Sequence, residues 1–161
     1  MKKLIIAAGI AAAVASFGAS AKVYTSYASV NTVVTGDSGF SISTIDKSLD
    51  TTSFKAKGTE LGQFAVTVPT GATTVTLSDI HAHDYPKGYV VNIAPNGSGE
   101  GECVATVGDN GLTSLPLDAP GCDITNVSKS VNLDVTNNAA FVSDVTPGTK
   151  TLTVKFTSTV E

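Results

Sequence analysis

The sequence predicts an all-β fold, a β-sandwich, from three observations. Apolar residues recur at every second position, threonine, valine and serine dominate, and Gly, Asn and Pro form turn signals at short intervals. Alternation of this kind gives each strand one face in the core and one face in water. Seven or eight short strands at this spacing are typical of a sandwich.

Six segments carry the strand pattern most clearly. The last segment, 151–160, places Leu152, Val154, Phe156 and Val160 on one face and its lysine with threonines on the other. The five others are 62–68, 73–80, 89–94, 103–107 and 131–135.

Turn residues separate these strands, because Gly and Asn accept the positive backbone angles of tight turns and Pro presets the position before them. They are Pro69-Thr70-Gly71, Pro86-Lys87-Gly88, Asn96-Gly97, Asp109-Asn110-Gly111 and Pro147-Gly148. Between the strands, segment 108–130 loses its periodicity around Leu115-Pro116-Leu117. We expect a loop there that leads into the next strand.

Residues 1–21 have the form of a secretory signal peptide: two lysines, an apolar run from 4 to 17, and the exit Ala19-Ser20-Ala21. The run is too short and too rich in alanine to span a bilayer. We therefore expect an exported chain that starts at Lys22. Loss of Lys2 and Lys3 takes the formal net charge from −4 to −6, and the chain has no arginine. Such an acidic domain is a poor partner for nucleic acid.

The chain has two cysteines, Cys103 and Cys122. In an exported protein such a pair is expected to form one disulfide. Closing a loop of about 20 residues stabilises a fold by roughly 3 kcal/mol in the chain-entropy model. The sequence therefore predicts that this bond fastens the irregular segment.

The start of the expected mature chain, 22–35, also alternates. Tyr24, Ala28, Val30 and Val34 lie on one side of an extended segment, with small residues between them. Two interpretations stay open for it. The segment is either the first strand of its own sandwich, or a detachable strand that adds to the open sheet edge of a neighbouring molecule.

Together these features resemble the subunits of bacterial chaperone–usher fimbriae, and most of all the colonisation-factor pilins of enterotoxigenic bacteria. The resemblance rests on the Thr/Val-rich N-terminal strand, and on the Pro147-Gly148 turn followed by the alternating strand 151–160. It also rests on Phe64-Ala65-Val66-Thr67-Val68-Pro69-Thr70-Gly71 followed by Thr74-Val75-Thr76-Leu77.

The resemblance implies an immunoglobulin-like sandwich, 36–161, that lacks its last strand and leaves a groove beside 151–160. A periplasmic chaperone first fills that groove, and at the outer-membrane usher the extension 22–35 of another copy, or of a related subunit, replaces it. The donor residues would be Tyr24, Ala28, Val30 and Val34, and the acceptor edge and core Leu152, Val154, Phe156 and Val160. The product is a fimbria on the cell surface that supports adhesion, with a host-surface receptor as a further partner.

Enzymatic signals are weak. Gly36-Asp37-Ser38-Gly39 matches four residues of the nucleophile turn of chymotrypsin-like proteases, but that serine needs a preceding histidine and aspartate. Here Ser38 precedes both histidines. We expect no catalysis and no cofactor.

Two polar clusters are the remaining candidates. His81, His83 and Asp84 could chelate a metal, although an exposed loop after strand 73–80 is the simpler expectation. Glu100 and Glu102 are expected in a solvated loop. An alternative function follows: a self-contained exported β-sandwich that binds a carbohydrate, a protein or a metal through its loops.

Overall fold

The computed structural model describes residues 39–116 and 119–160. The described residues form nine strands, one short α-helix and one 3₁₀ turn, Asp109–Gly111. The helix is α1 (Thr51–Lys55). The strands are β1 (Ser41–Asp46), β2 (Glu60–Thr67), β3 (Val75–His83), β4 (Val90–Pro95), β5 (Cys103–Val107), β6 (Thr113–Ser114), β7 (Cys122–Ile124), β8 (Ser130–Asn137) and β9 (Thr151–Ser158).

The predicted all-β sandwich is confirmed. One sheet has six strands in the order β1-β2-β8-β4-β5-β6, and the other has three in the order β7-β3-β9. Every pairing between these strands is antiparallel. None of the helices in the part of the chain that the structure describes is long and apolar enough to cross a membrane.

The core lies between the two sheets and consists of the apolar residues at every second position of the strands, which face inward. The largest fully buried side chains include Tyr89, Leu77, Ile93, Ile124 and Leu133. Leu77 and Ile124 come from the three-stranded sheet, whereas Ile93 and Leu133 come from the six-stranded sheet. The hydrophobic effect therefore holds the two sheets face to face.

Strand β3 contains a bulge that shifts its inward-facing positions by one residue. Its pairing with β9 slips between Ser78 and His81, and Asp79 takes the left-handed backbone angle φ 46°. Before the bulge Val75 and Leu77 are buried, whereas after it Ile80 and Ala82 are buried. The bulge thus lets one strand continue to His83 with a buried face along its whole length.

Besides β3, two further segments expected from sequence differ in the structure. Segment 108–130 is not one irregular loop, because it contains the 3₁₀ turn, β6 and β7, and β7 pairs with β3 from Val75 to Leu77. The last strand ends at Ser158, two residues before the predicted end. The expected signal peptide 1–21 and the extension 22–35 lie outside the described residues.

Candidate functional site

The candidate site is the side of the sandwich where both sheets end, which we call the open edge and define by strands β1 and β9. β1 is the edge strand of the six-stranded sheet, and β9 is the edge strand of the three-stranded sheet. The two edges lie on the same side, because Phe64 of β2 packs against Phe156 of β9 with ring centroids 5.1 Å apart.

β1 begins at the end of the molecule where β9 finishes. Ser41 pairs with Thr67 at the end of β2, and the turn that follows β2 lies close to the residues after β9. A Cβ at Gly71 would lie 3.4 Å from Cγ1 of Val160. β1 and β9 therefore run in opposite directions along the open edge.

The apolar residues along the open edge are only partly covered. Phe40, Ile42, Leu152 and Phe156 are half-buried and pack against the core. In the middle of the sandwich, by contrast, residues such as Ile93 are completely buried. Within the described residues, the core is therefore less completely covered between β1 and β9 than in the middle of the sandwich.

The structure places the four predicted acceptor residues differently from one another. Val154 is buried at 7% exposure, and Leu152 and Phe156 flank it as half-buried residues on the same face of β9. Val160 lies beyond the end of β9 and is 49% exposed. The predicted donor residues Tyr24, Ala28, Val30 and Val34 lie outside the described residues.

A disulfide joins the two sheets on the side away from the open edge. Cys103 of β5 is bonded to Cys122 of β7, with their Cα atoms 5.4 Å apart. The predicted pairing is therefore confirmed. Because β5 belongs to the six-stranded sheet and β7 to the other, the bond fastens one side of the sandwich. On the opposite side, no strand among the described residues adds to β1 or β9.

An aromatic group that the sequence analysis did not find closes the end of the sandwich around α1. Phe54 stacks on Tyr89 with ring centroids 4.6 Å apart, and Tyr85 and Phe141 contact the same ring system. The Tyr89 hydroxyl donates a hydrogen bond of 2.6 Å to the Phe54 carbonyl. The sequence signal for α1 is Asp50 before Thr51, since Asp is a strong helix N-cap residue.

Burial raises the pKa of both tyrosine hydroxyls in this group. It raises the pKa of Tyr85 to about 12, and it raises the pKa of Tyr89 as well, with a further contribution from the neighbouring Tyr85. At the helix start, the backbone N–H groups of Ser53 and Thr52 bond to the Asp50 carboxylate, and the bond from Ser53 does most to lower its pKa. The lowered pKa of Asp50 favours the folded state once this carboxyl is ionised, whereas the raised pKa values of the tyrosines act only at alkaline pH.

The histidines lie in a strand and not in the expected loop. His81 and His83 belong to β3, because the bulge carries the strand past residue 80. Both are exposed, and His83 Nδ1 lies 3.0 Å from Oδ2 of the adjacent Asp84. Within the described residues, no three His, Cys, Asp or Glu side chains form a group that could hold a metal ion.

Of the remaining candidates, the structure describes the two glutamates. Glu100 and Glu102 are exposed as expected, and Glu102 accepts a hydrogen bond from Asn92 Nδ2 at 3.2 Å. Residues 36–38 of the protease-like turn lie outside the described part of the chain. A shallow pocket of about 370 Å³ lies between α1 and the loop before β9, lined by Thr51, Thr52, Lys55, Ala56, Asp144 and Val145.

Comparison with solved structures finds a likeness in fold, whereas comparison of the sequence finds none. No protein-family model matches the sequence, and no curated protein matches it. The fold is similar to the crystal structure of the Hda pilus minor tip subunit HdaB of E. coli, with a TM-score of 0.48 and 13% sequence identity. The match covers 76% of this chain and 84% of that one.

Proposed function

We propose that the chain is a structural subunit of a cell-surface fimbria, and that it polymerises when residues 22–35 of one copy occupy the open edge of another. The observation that carries this proposal is the pair of edge strands. In residues 39–116 and 119–160, nothing pairs with the free edge of β9 or of β1. Unpaired edges above an apolar interior recruit a further strand.

The composition of the extension fits this role. An alternating segment presents apolar side chains every 6 to 7 Å or so, the spacing at which a strand fills successive pockets of a groove. Its apolar residues would cover Leu152 and Phe156, which are half-buried in the described structure. Completing the burial of each such side chain would contribute about 1 kcal/mol.

Strand direction favours a donor from another copy. A segment that precedes β1 and folds back beside it as a hairpin would run parallel to β9, because β1 and β9 run in opposite directions. The same segment from another molecule can enter antiparallel to β9, which has eight residues against six in β1. Antiparallel ladders are slightly more stable per residue.

The Cys103–Cys122 disulfide agrees with the route to the surface that the proposal needs. Disulfides form and persist in oxidising compartments such as the periplasm and the cell exterior. We include in the proposal a periplasmic chaperone that protects the open edge, an outer-membrane usher and a host-surface receptor for the fibre. The chain is proposed to contribute structure to the fibre and no chemistry of its own.

The test compares three forms of the protein: residues 22–161, residues 36–161, and residues 36–161 with segment 22–35 appended after Glu161 through a short flexible linker. β9 ends next to the linker, so the appended segment can return antiparallel to β9. The proposal predicts a monomer that melts about 10 °C or more above the shortened form. It also predicts polymers of the form that keeps its N-terminal extension.

A matched control carries Val30→Asp and Val34→Asp in the appended segment. It should lose the increase in melting temperature, because charged residues cannot fill apolar pockets. A stable monomer of 22–161, with a weaker appended form, would contradict the proposal. That result would favour the self-contained sandwich that uses its first strand internally.

A further inference from the structure

We propose that His81 and His83 chelate a divalent transition-metal ion of the copper, nickel and zinc class on the outer face of the three-stranded sheet. Imidazole nitrogen is a preferred ligand of all three ions. The site lies on the solvent face of β3 and does not use the groove at the open edge. It therefore stands whether or not the chain forms fibres.

The strand places the two imidazoles on one face. Ala82, between them, is completely buried, whereas His81 and His83 are exposed. Residues at i and i+2 of a strand lie about 6.5 to 7 Å apart along the chain. Two imidazole side chains at this separation can lean together until both nitrogens reach one ion at the usual distance of about 2.0 Å.

Backbone pairing holds His81 from both sides and His83 from one side. His81 pairs with Thr153 of β9 and forms an isolated bridge with Leu112 across its other edge, and His83 pairs with Thr151. The cross-strand partners on β9 are small hydroxyl residues, which leave the imidazoles room to turn. A rigid backbone lowers the ordering cost of binding an ion there.

Asp84 orients one of the two ligands. Its carboxylate lies 3.0 Å from His83 Nδ1, so the ring donates its Nδ1–H to Asp84 and leaves Nε2 free for a metal. Asp84 has a φ of 61°, which ends the strand and keeps its side chain beside His83. A carboxylate behind a metal-binding histidine fixes the tautomer and raises the basicity of the ligand nitrogen.

The rest of the chain offers little competition for such an ion. The sequence contains only these two histidines, and both cysteines are in the disulfide. In the described residues no group of three His, Cys, Asp or Glu side chains could hold an ion, and Asp84 is engaged by the His83 ring, so water would complete the coordination sphere. Cu²⁺ should bind most tightly, since it heads the divalent affinity order for nitrogen ligands.

The test is a Cu²⁺ titration of residues 22–161, by calorimetry in a non-chelating buffer together with electron paramagnetic resonance. We expect one ion per chain, a dissociation constant on the order of micromolar, and hyperfine coupling from two imidazole nitrogens. His81→Asn and His83→Asn should each weaken binding by about 10-fold or more, because each variant leaves one imidazole. Circular dichroism of each variant verifies its fold.

Two carboxylate variants distinguish the orientation of the His83 ring by Asp84 from a general effect of negative charge on Cu²⁺ binding. Asp84→Asn should weaken Cu²⁺ binding by about 10-fold, and the backbone angle is kept because Asn tolerates positive φ. Asp79→Asn is the matched control, since Asp79 lies on the same strand at φ 46° but pairs with Lys155 at 3.2 Å. Its affinity should equal that of the wild type.

Three results would overturn the proposal. The first is equal Cu²⁺ affinity for the wild type and both histidine variants. The second is coordination by one imidazole per chain, with dimers in light scattering, because the ion would then bridge two copies. The third is binding weaker than about 1 mM, which corresponds to only about 4 kcal/mol of binding free energy.

Discussion

Phe64 of β2 and Phe156 of β9 meet across the sandwich with ring centroids 5.1 Å apart and an angle of 65° between their planes. Phe64 is 8% exposed, whereas Phe156 is half-buried beside the open edge. The pair thus joins the two sheets and forms the floor of the proposed groove. An added strand would bury more of Phe156, whereas the residues of the sandwich interior are already buried and would change little.

Truncation of this floor should cost more when the groove is filled. We expect Phe156→Ala to lower the free energy of unfolding by about 2 kcal/mol in residues 36–161 and by about 4 kcal/mol in the form with the appended strand. The larger loss arises because the covered ring is fully buried. Urea denaturation of both forms measures the two values.

Thr157→Ala is the matched control for this prediction. Thr157 is the next residue on β9 and is exposed on the opposite face. Its substitution should change stability by no more than about 0.5 kcal/mol in either form. Equal losses for Phe156→Ala in the two forms would contradict the placement of the donor strand over this ring.

The inter-sheet disulfide should stabilise the fold substantially. The double variant Cys103→Ala/Cys122→Ala opens a loop with a sequence separation of 19 and should lose about 3 kcal/mol. The double variant is preferable to a reducing agent, because Cys103 is completely buried in the folded protein. Thermal unfolding compares it with the wild type, and a loss below about 1 kcal/mol would contradict the prediction.

The buried amide of Asn137 should matter more than the hydroxyl of Tyr89. Asn137 Nδ2 donates to the carbonyls of Phe54 and Ala56 at 3.2 and 3.1 Å, and thereby fixes the end of α1. Asn137→Ala removes both of these bonds, together with the bond that Asn137 Oδ1 accepts from the Ala139 N–H, and should cost about 2 to 3 kcal/mol. Tyr89→Phe should cost only about 1 kcal/mol, because Asn137 still serves the Phe54 carbonyl. Urea denaturation measures both variants, and equal losses of unfolding free energy for the two would contradict this prediction.

Alkaline pH should destabilise the protein through Tyr85. Burial raises its pKa from the ordinary 10.0 to about 12, so the folded state holds the proton more tightly than the unfolded state. The resulting stability is fully present below pH 10 and is lost as the pH rises from 10 to about 12. Tyr85→Phe should show a shallower decline in this range. Unfolding curves between pH 8 and 12 test it, and parallel declines for the two proteins would rule it out.

Regular alternation made much of the fold predictable. Strand β5 coincides with the predicted 103–107, and β2, β4 and β8 differ from prediction by one or two residues at their ends. These strands have one buried and one exposed face, so their apolar and polar residues alternate in the sequence. The disulfide followed from the number of cysteines and the expected export.

The missed features have physical reasons. β1 reads Ser41–Asp46 with isoleucines at 42 and 45, three positions apart, because an edge strand needs little burial. The bulge at Asp79 reverses which positions of β3 point inward, and this hid the strand that carries the histidines. The open edge itself depends on which strands pair, and pairing across the sequence cannot be read from local pattern.

The most direct test of strand exchange mixes two proteins that cannot polymerise alone. One is residues 36–161, which has an open edge and no extension, and the other is residues 22–161 with a second copy of segment 22–35 appended after Glu161 to fill its own groove. The two proteins are refolded together in equal amounts and analysed by native mass spectrometry. They should form a 1:1 heterodimer and no larger oligomer. Two separate monomers at micromolar concentration would contradict the account.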